Sequence, residues 1–248
     1  MREITQFAQY TVEIWRRPGQ RNMHLTVRPE GHVRITCNRR RSKREIFAFI
    51  ESSHAFIAKR LEALEQQRRL HPPRQVLSGE TFLFFGERLP LQVVWIWLPR
   101  PRVAKTGDGL ELKAPVGATH AERRQALEAF YRKEARAHLS LRLRSLSLEM
   151  GKAPQEISIR GQSTRWGSCS ATGQISLNWK LLCAPRSVID YVIVHELAHL
   201  HHMDHSPRFW SLVERFHPEW RDAKRWLRAH ELEIRAMFSA PMKTPLKA

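Results

Sequence analysis

Cysteine, acidic side chains and long apolar runs are all scarce in this sequence, and each scarcity excludes something. Three cysteines in 248 residues (Cys37, Cys169, Cys183) form an odd set without CxxC spacing. That argues against a disulfide framework and against an all-cysteine zinc site, and for buried thiols in a reducing compartment. The apolar stretch Leu89–Pro99 falls well short of the roughly 20 residues a membrane-spanning helix needs, so no membrane role is expected. The N-terminus has no apolar run bracketed by a basic start and a small-residue cleavage site, as a signal peptide would, which makes the expected location cytoplasmic. There is no internal repeat and no Gly/Ser-rich linker. With 42% hydrophobic and 9% aromatic residues the composition is that of a globular protein, which excludes collagen-like, coiled-coil and disordered classes.

Because Asp and Glu total 24 against 42 Lys and Arg, the formal charge is +18. The excess is uneven: residues 1–44 hold 11 basic and 3 acidic side chains. A field of this sign attracts polyanions, and five of the six residues in Arg39–Arg44 are cationic. Residues 39–44 are therefore a candidate for non-specific nucleic-acid binding, against the plainer reading of a solvated arginine-rich surface. No RNP, helix-turn-helix or zinc-finger pattern supports sequence-specific reading of bases.

Hydrophobic period divides the chain into elements. LTVRP and HVRIT flank a turn at Pro29-Glu30-Gly31 and read as a hairpin. Ser42 is a plausible N-cap for one helix running from Arg44 to Leu70, on a stripe that includes Ile46, Ile50, Phe56 and Ile57. Residues 81–113 look β-rich, with turns at Gly86 and Gly107–Gly109. Ala121–Met150 is a long helix with Leu127, Phe130, Tyr131, Leu139, Leu143 and Leu146 on one face. Beyond Pro154, residues 157–161 and 173–179 read as strands around a turn-rich RWGSCSATG. Three helices follow, over Ser187–His201, from Ser206-Pro207, and after His217-Pro218. A boundary is placed near 150–155, giving an N-terminal region 1–150, a catalytic region 151–240 and a tail 241–248.

The chemistry-bearing motif is His195-Glu196-Leu197-Ala198-His199, an HExxH. Such a match arises by chance in about 5% of shuffled versions of this chain, so its surroundings must support it. Val192, Ile193, Val194, Leu197 and Leu200 make the helix apolar and hence buried, and buried polar groups are costly unless paired. At i and i+4 the two imidazoles share a face and can converge on one Zn²⁺, while Glu196 reaches a water on an open coordination position and takes its proton. A third ligand must come from further on. His201 points away, and His202 lies about 10 Å along the helix axis from His195. His205, after a turn at Met203-Asp204, has the ligand spacing HExxHxxxxxH, and Glu219 is its rival. Arg165 could stabilise a developing oxyanion, against a purely structural turn anchored by Trp166. Tyr191 reads as a packed aromatic and Asp190 as helix N-terminal charge. Trp95, Trp97, Trp179, Trp210, Trp220 and Trp226 read as core.

The segment RWGSCSATGQISLNWKLLCAPRSVIDYVIVHELAHLHHMDHSPRFW (165–210), with the looser LTVRPEGHVRIT and FFGERLPLQV pieces, resembles the YgjP-like metallopeptidase family, relatives of the WLM and SprT-like zincins. The resemblance implies zinc ligation by His195, His199 and His205, with Glu196 as base. The family typically has Asn before the last His, where this chain has Asp204, a departure that leaves ligation intact. The fold class expected is α+β: a zincin-like domain with the HExxH helix against a small mixed sheet, preceded by a β-rich region with a long helix. The expected function is a zinc metallopeptidase acting on a peptide or protein substrate. Two alternatives stand beside it: a zinc-dependent hydrolase of nucleotides or other phosphoanhydrides, and a nucleic-acid-associated protease tethered by the basic N-terminal segment.

Overall fold

In a computed structural model of the chain, residues 2–28, 31–162 and 165–239 are described. The turn residues Pro29 and Glu30 and the tail 241–248 lie outside them. The chain divides into two compact units, one ending at Pro73 and the other spanning Arg74–Ser239. The boundary thus falls at residue 73, not near 150. The long helix of the second unit shares a single core with the residues around the HExxH helix, so a cut near 150 would run through that core.

The first unit is a four-stranded sheet with two helices. Strands β1 (Arg2–Phe7), β2 (Tyr10–Arg17), β3 (His24–Val27) and β4 (Val33–Asn38) are ordered β1-β2-β4-β3. β3 and β4 form the expected antiparallel pair, and β2 lies parallel to β4. Alternation sends Val12, Ile14, Val33, Ile35 and Cys37 inward against Ile46, Ile50 and Ile57. Ser42 caps α1 (Lys43–Ser52) through a reciprocal capping box with Glu45. The single helix expected over 44–70 is two, because α2 (His54–Leu70) starts after a break at Ser53. There the Ser53 backbone N–H is shared between the carbonyls of Phe49 and Ile50, a tightened last turn, and the Ser52 hydroxyl also donates to the Phe49 carbonyl. Phe56, assigned to the apolar stripe, is exposed as a result.

The second unit opens with β5 (Thr81–Phe84), β6 (Glu87–Trp95), β7 (Arg102–Thr106) and β8 (Gly109–Ala114), ordered β5-β6-β8-β7. Helix α3 (His120–Glu149) follows, capped by Thr119 and Glu122, and all six residues of its expected stripe are buried. The second sheet has order β10-β11-β9, from β9 (Glu156–Arg160), β10 (Gly167–Cys169) and β11 (Gln174–Asn178). β10 lies inside the segment expected to be turn, and β11 pairs antiparallel with it and parallel with β9. A 3₁₀ turn (Trp179–Cys183) leads into α4 (Arg186–Ala198), then α5 (Pro207–Phe216) and α6 (Trp220–Met237). The β5–β6 turn seats the start of α4: Phe85 and Gly86 donate backbone bonds to Leu182 and Cys183, and a Cβ on Gly86 would sit 2.8 Å from Pro185. Trp179 is core as expected, but Trp97 is 99% exposed and Trp95 44%. Among the described residues, no helix is long and apolar enough to cross a membrane.

Candidate active site

The site grows out of α4. Val188, Ile189, Val192, Ile193, Val194, Leu197 and Ala198 are all buried, so the helix is packed on nearly every side and anything polar on it is fixed by its neighbours. Asp190 does not serve as helix N-terminal charge. It makes a bidentate pair with Arg142 of α3 at 2.8 and 2.9 Å, which locks α4 onto the long helix.

The helix ends at Ala198, and the loop before α5 brings His205 back. One donor atom each from His195, His199 and His205 lies within 4.8 Å of the others. The Nε2 atoms of His195 and His205 face each other at 3.3 Å. His199 donates from Nδ1 to the carbonyl of His202, which leaves its Nε2 free toward the cluster. Fully buried Phe209 of α5 backs all three rings, with centroid separations of 5.0, 4.6 and 4.8 Å. Among the described residues this is the one grouping of three or more such side chains able to hold a metal ion. Glu219 is not in it and stands at the start of α6.

Beside the triad lies Glu196, only 6% exposed. Burial pushes its carboxyl up to about 8, with the Arg165 cation pulling the other way. Burial, reinforced by His199, His205 and Lys224, takes His195 down to about 3. Tyr191 is buried with its ring 6.0 Å from His195, as a packed aromatic.

Arg165 is presented by the stretch leading into β10, and that stretch is tied down by Asn178, a residue the sequence reading passed over. Its amide donates to the carbonyls of Gln162 and Arg165 at 2.8 and 2.9 Å, and its backbone N–H donates to Trp166. A cavity of about 330 Å³ opens here, lined by Arg165, Trp166, Tyr191, His195 and Glu196 and, from α6, by Lys224, Leu227, Arg228 and Glu231. The α6 residues were also missed. Their spacing of three and four is a helical stripe, but nothing local marks that stripe as facing the site.

Three imidazoles that could hold a metal ion thus stand beside a buried carboxylate. Residues 21–230 match the family described as YgjP-like, metallopeptidase domain, and the chain belongs to that family. Two solved structures resemble part of it: crystal structures of the metallopeptidase zymogens of Pyrococcus abyssi abylysin and Methanocaldococcus jannaschii jannalysin. The first is 25% identical, covers 38% of this chain and 95% of that one, and has a TM-score of 0.35. The second is 16% identical, covers 38% and 96%, and has a TM-score of 0.34. No curated protein matches the chain.

Proposed function

We propose that the chain is a zinc-dependent peptide hydrolase of the zincin type. The observation that carries the reading is the convergence of three imidazole donors within 4.8 Å, beside a buried carboxylate. This donor set fits Zn²⁺: all three ligands are nitrogen, one ring is oriented by its carbonyl partner, and three protein ligands leave a coordination position open. When bound, the ion polarises a substrate carbonyl and lowers the pKa of a water. Glu196 accepts the proton of the attacking water and returns it to the leaving amine. Arg165 offers a cation to the charge that develops on the carbonyl oxygen. The residues that would align an extended peptide are those of β10. The strand over 173–179 is β11, which is paired on both sides, whereas β10 is the sheet edge nearest Glu196.

A second reading, hydrolysis of a phosphoanhydride, has one observation in its favour. Near the motif the sequence offers only Arg165, Lys180, Arg186 and Arg208 as cations, whereas the folded cavity adds Lys224 and Arg228. Arg165, Lys224 and Arg228 have no ion-pair partner among the described residues, while Glu231 is held by Arg235 at 2.6 Å. Such a lining suits a polyanion.

The test puts labelled casein and nucleoside triphosphates before the wild type and Glu196→Gln. The expected result is casein cleavage by the wild type, none by Glu196→Gln, and one zinc per chain in both. His199→Ala should lose the zinc. Full activity in Glu196→Gln, or full zinc in His199→Ala, overturns the reading, and turnover of triphosphates alone moves it to the second.

A further inference from the structure

Glycine within a strand weakens it, because it gives the unfolded chain extra freedom and packs nothing against its neighbours. Gly167 stands in β10, paired with Leu177 across the sheet. It is not among the glycines with positive φ, so its backbone conformation is open to any residue. The space around it is not. A Cβ at Gly167 would lie 2.5 Å from Oε1, 2.7 Å from Cγ and 2.8 Å from Cδ of Glu196. All three nearest atoms belong to one side chain, and it is the carboxylate assigned above as proton acceptor.

We infer that Gly167 is a positioning residue for Glu196: its bare Cα is the wall on which the carboxylate rests, and any side chain there would push the carboxylate out of place. The catalytic half of this inference rests on the function proposed above, whereas the packing half stands by itself. A methyl group at Gly167 falls roughly 1 Å short of ordinary van der Waals contact with Oε1, so one partner must give way. The strand is held where it is. Asn178 bonds the carbonyls of Arg165 and Trp166 just before it, and the register Ser168 to Ser176 and Cys169 to Ile175 holds it after. What can yield is the end of the glutamate. Gly86 is the contrast: there a Cβ would meet the rigid Pro185 ring at 2.8 Å and its backbone at 3.1 Å, and the start of the helix itself would have to move.

Gly167→Ala, Glu196→Ala and the double variant test this in the zinc-loaded, full-length protein. Thermal melting is the first measurement. Gly167→Ala should lower the melting temperature by several degrees in the wild-type background and by little or nothing in Glu196→Ala, where the methyl enters vacated space. Zinc content should stay at the wild-type level in Gly167→Ala. With labelled casein, kcat should fall 10- to 100-fold while KM stays within about twofold, the penalty of misplacing a reacting group by about 1 Å. An equal melting loss in both backgrounds, or a wild-type kcat, overturns the inference. If Gly167→Ala fails to fold, the double variant decides: recovery of folded, zinc-binding protein supports the inference and continued failure overturns it. If the wild type leaves casein intact, it is the peptidase reading that fails, and the melting comparison still decides the packing.

Discussion

Asn178 is the residue on which the site's non-helical half hangs, and its loss can be costed. The side chain is buried and makes three hydrogen bonds: donors to the carbonyls of Gln162 and Arg165 at 2.8 and 2.9 Å, and an acceptor for the Lys180 N–H at 3.1 Å. The last of these caps the 3₁₀ turn that leads toward α4. Two donated bonds at about 0.5–1.5 kcal/mol each, plus a cap of about 0.5–2 kcal/mol, put Asn178→Ala at about 1.5–5 kcal/mol. For a chain of this size that is a fall of roughly 10 °C in melting temperature. Denaturant unfolding followed by tryptophan fluorescence reads the loss directly, since Trp179 is adjacent and buried. The near-isosteric Asn178→Asp sharpens the test. It aims a carboxylate at two carbonyl oxygens where the amide offered protons, so it should destabilise at least as much as alanine. Turnover should fall in both variants with zinc retained, because Arg165 and Gly167 lose their anchor. A loss under about 0.5 kcal/mol in Asn178→Ala, or a wild-type midpoint in Asn178→Asp, refutes the reasoning.

Other outcomes follow from the same structure. His205→Ala should weaken zinc binding by orders of magnitude and Glu219→Ala should leave it unchanged; competition with a chromogenic chelator measures both, and the reverse pattern would make Glu219 the ligand. Glu45 is held down to about 2 by the backbone and side chain of Ser42 and by Arg41. A depressed carboxylate contributes stability that is full above its ordinary value of 4.5 and lost as pH falls toward about 2. Glu45→Gln should therefore flatten the acid sensitivity of the first unit across that window, as read by circular dichroism against pH. For nucleic acid, Arg41 and Lys43 are already paired with Glu45 and Glu3, which leaves Arg39, Arg40 and Arg44 without an ion-pair partner among the described residues. Neutralising those three should lower the slope of log affinity against log salt by up to about 3, and no binding at about 50 mM salt removes this partner.

What could be read in advance follows the range of the interaction. The imidazoles of His195 and His199 are legible because i and i+4 share a face, and His205 because a short loop suffices to return it. The α3 stripe and the Ser42 cap are equally local. The break at Ser53 was hidden because the apolar stripe runs on through it, and only the backbone bonds of the Ser53 amide and one from the Ser52 hydroxyl mark it. β10 was hidden because three residues rich in small side chains carry no alternation, and only pairing with β11 makes them a strand. Asp190 looked like helix N-terminal charge because its true partner, Arg142, is 48 positions away. Lys224, Arg228, Asn178 and Gly167 lie beyond local reading for the same reason: each acquires its role from a neighbour brought in by the fold.

On the function proposed above, the ligand triad spans only His195 to His205, whereas the groups that place Glu196 and Arg165 come from residues 160–180. Ion capture and catalytic alignment are thus written in different stretches of chain, and they can fail one at a time. Damage to the earlier stretch would leave a molecule that holds its ion and does nothing with it. Zinc content alone is therefore a poor proxy for a working enzyme in this architecture, and a loaded but silent variant points back to the sheet.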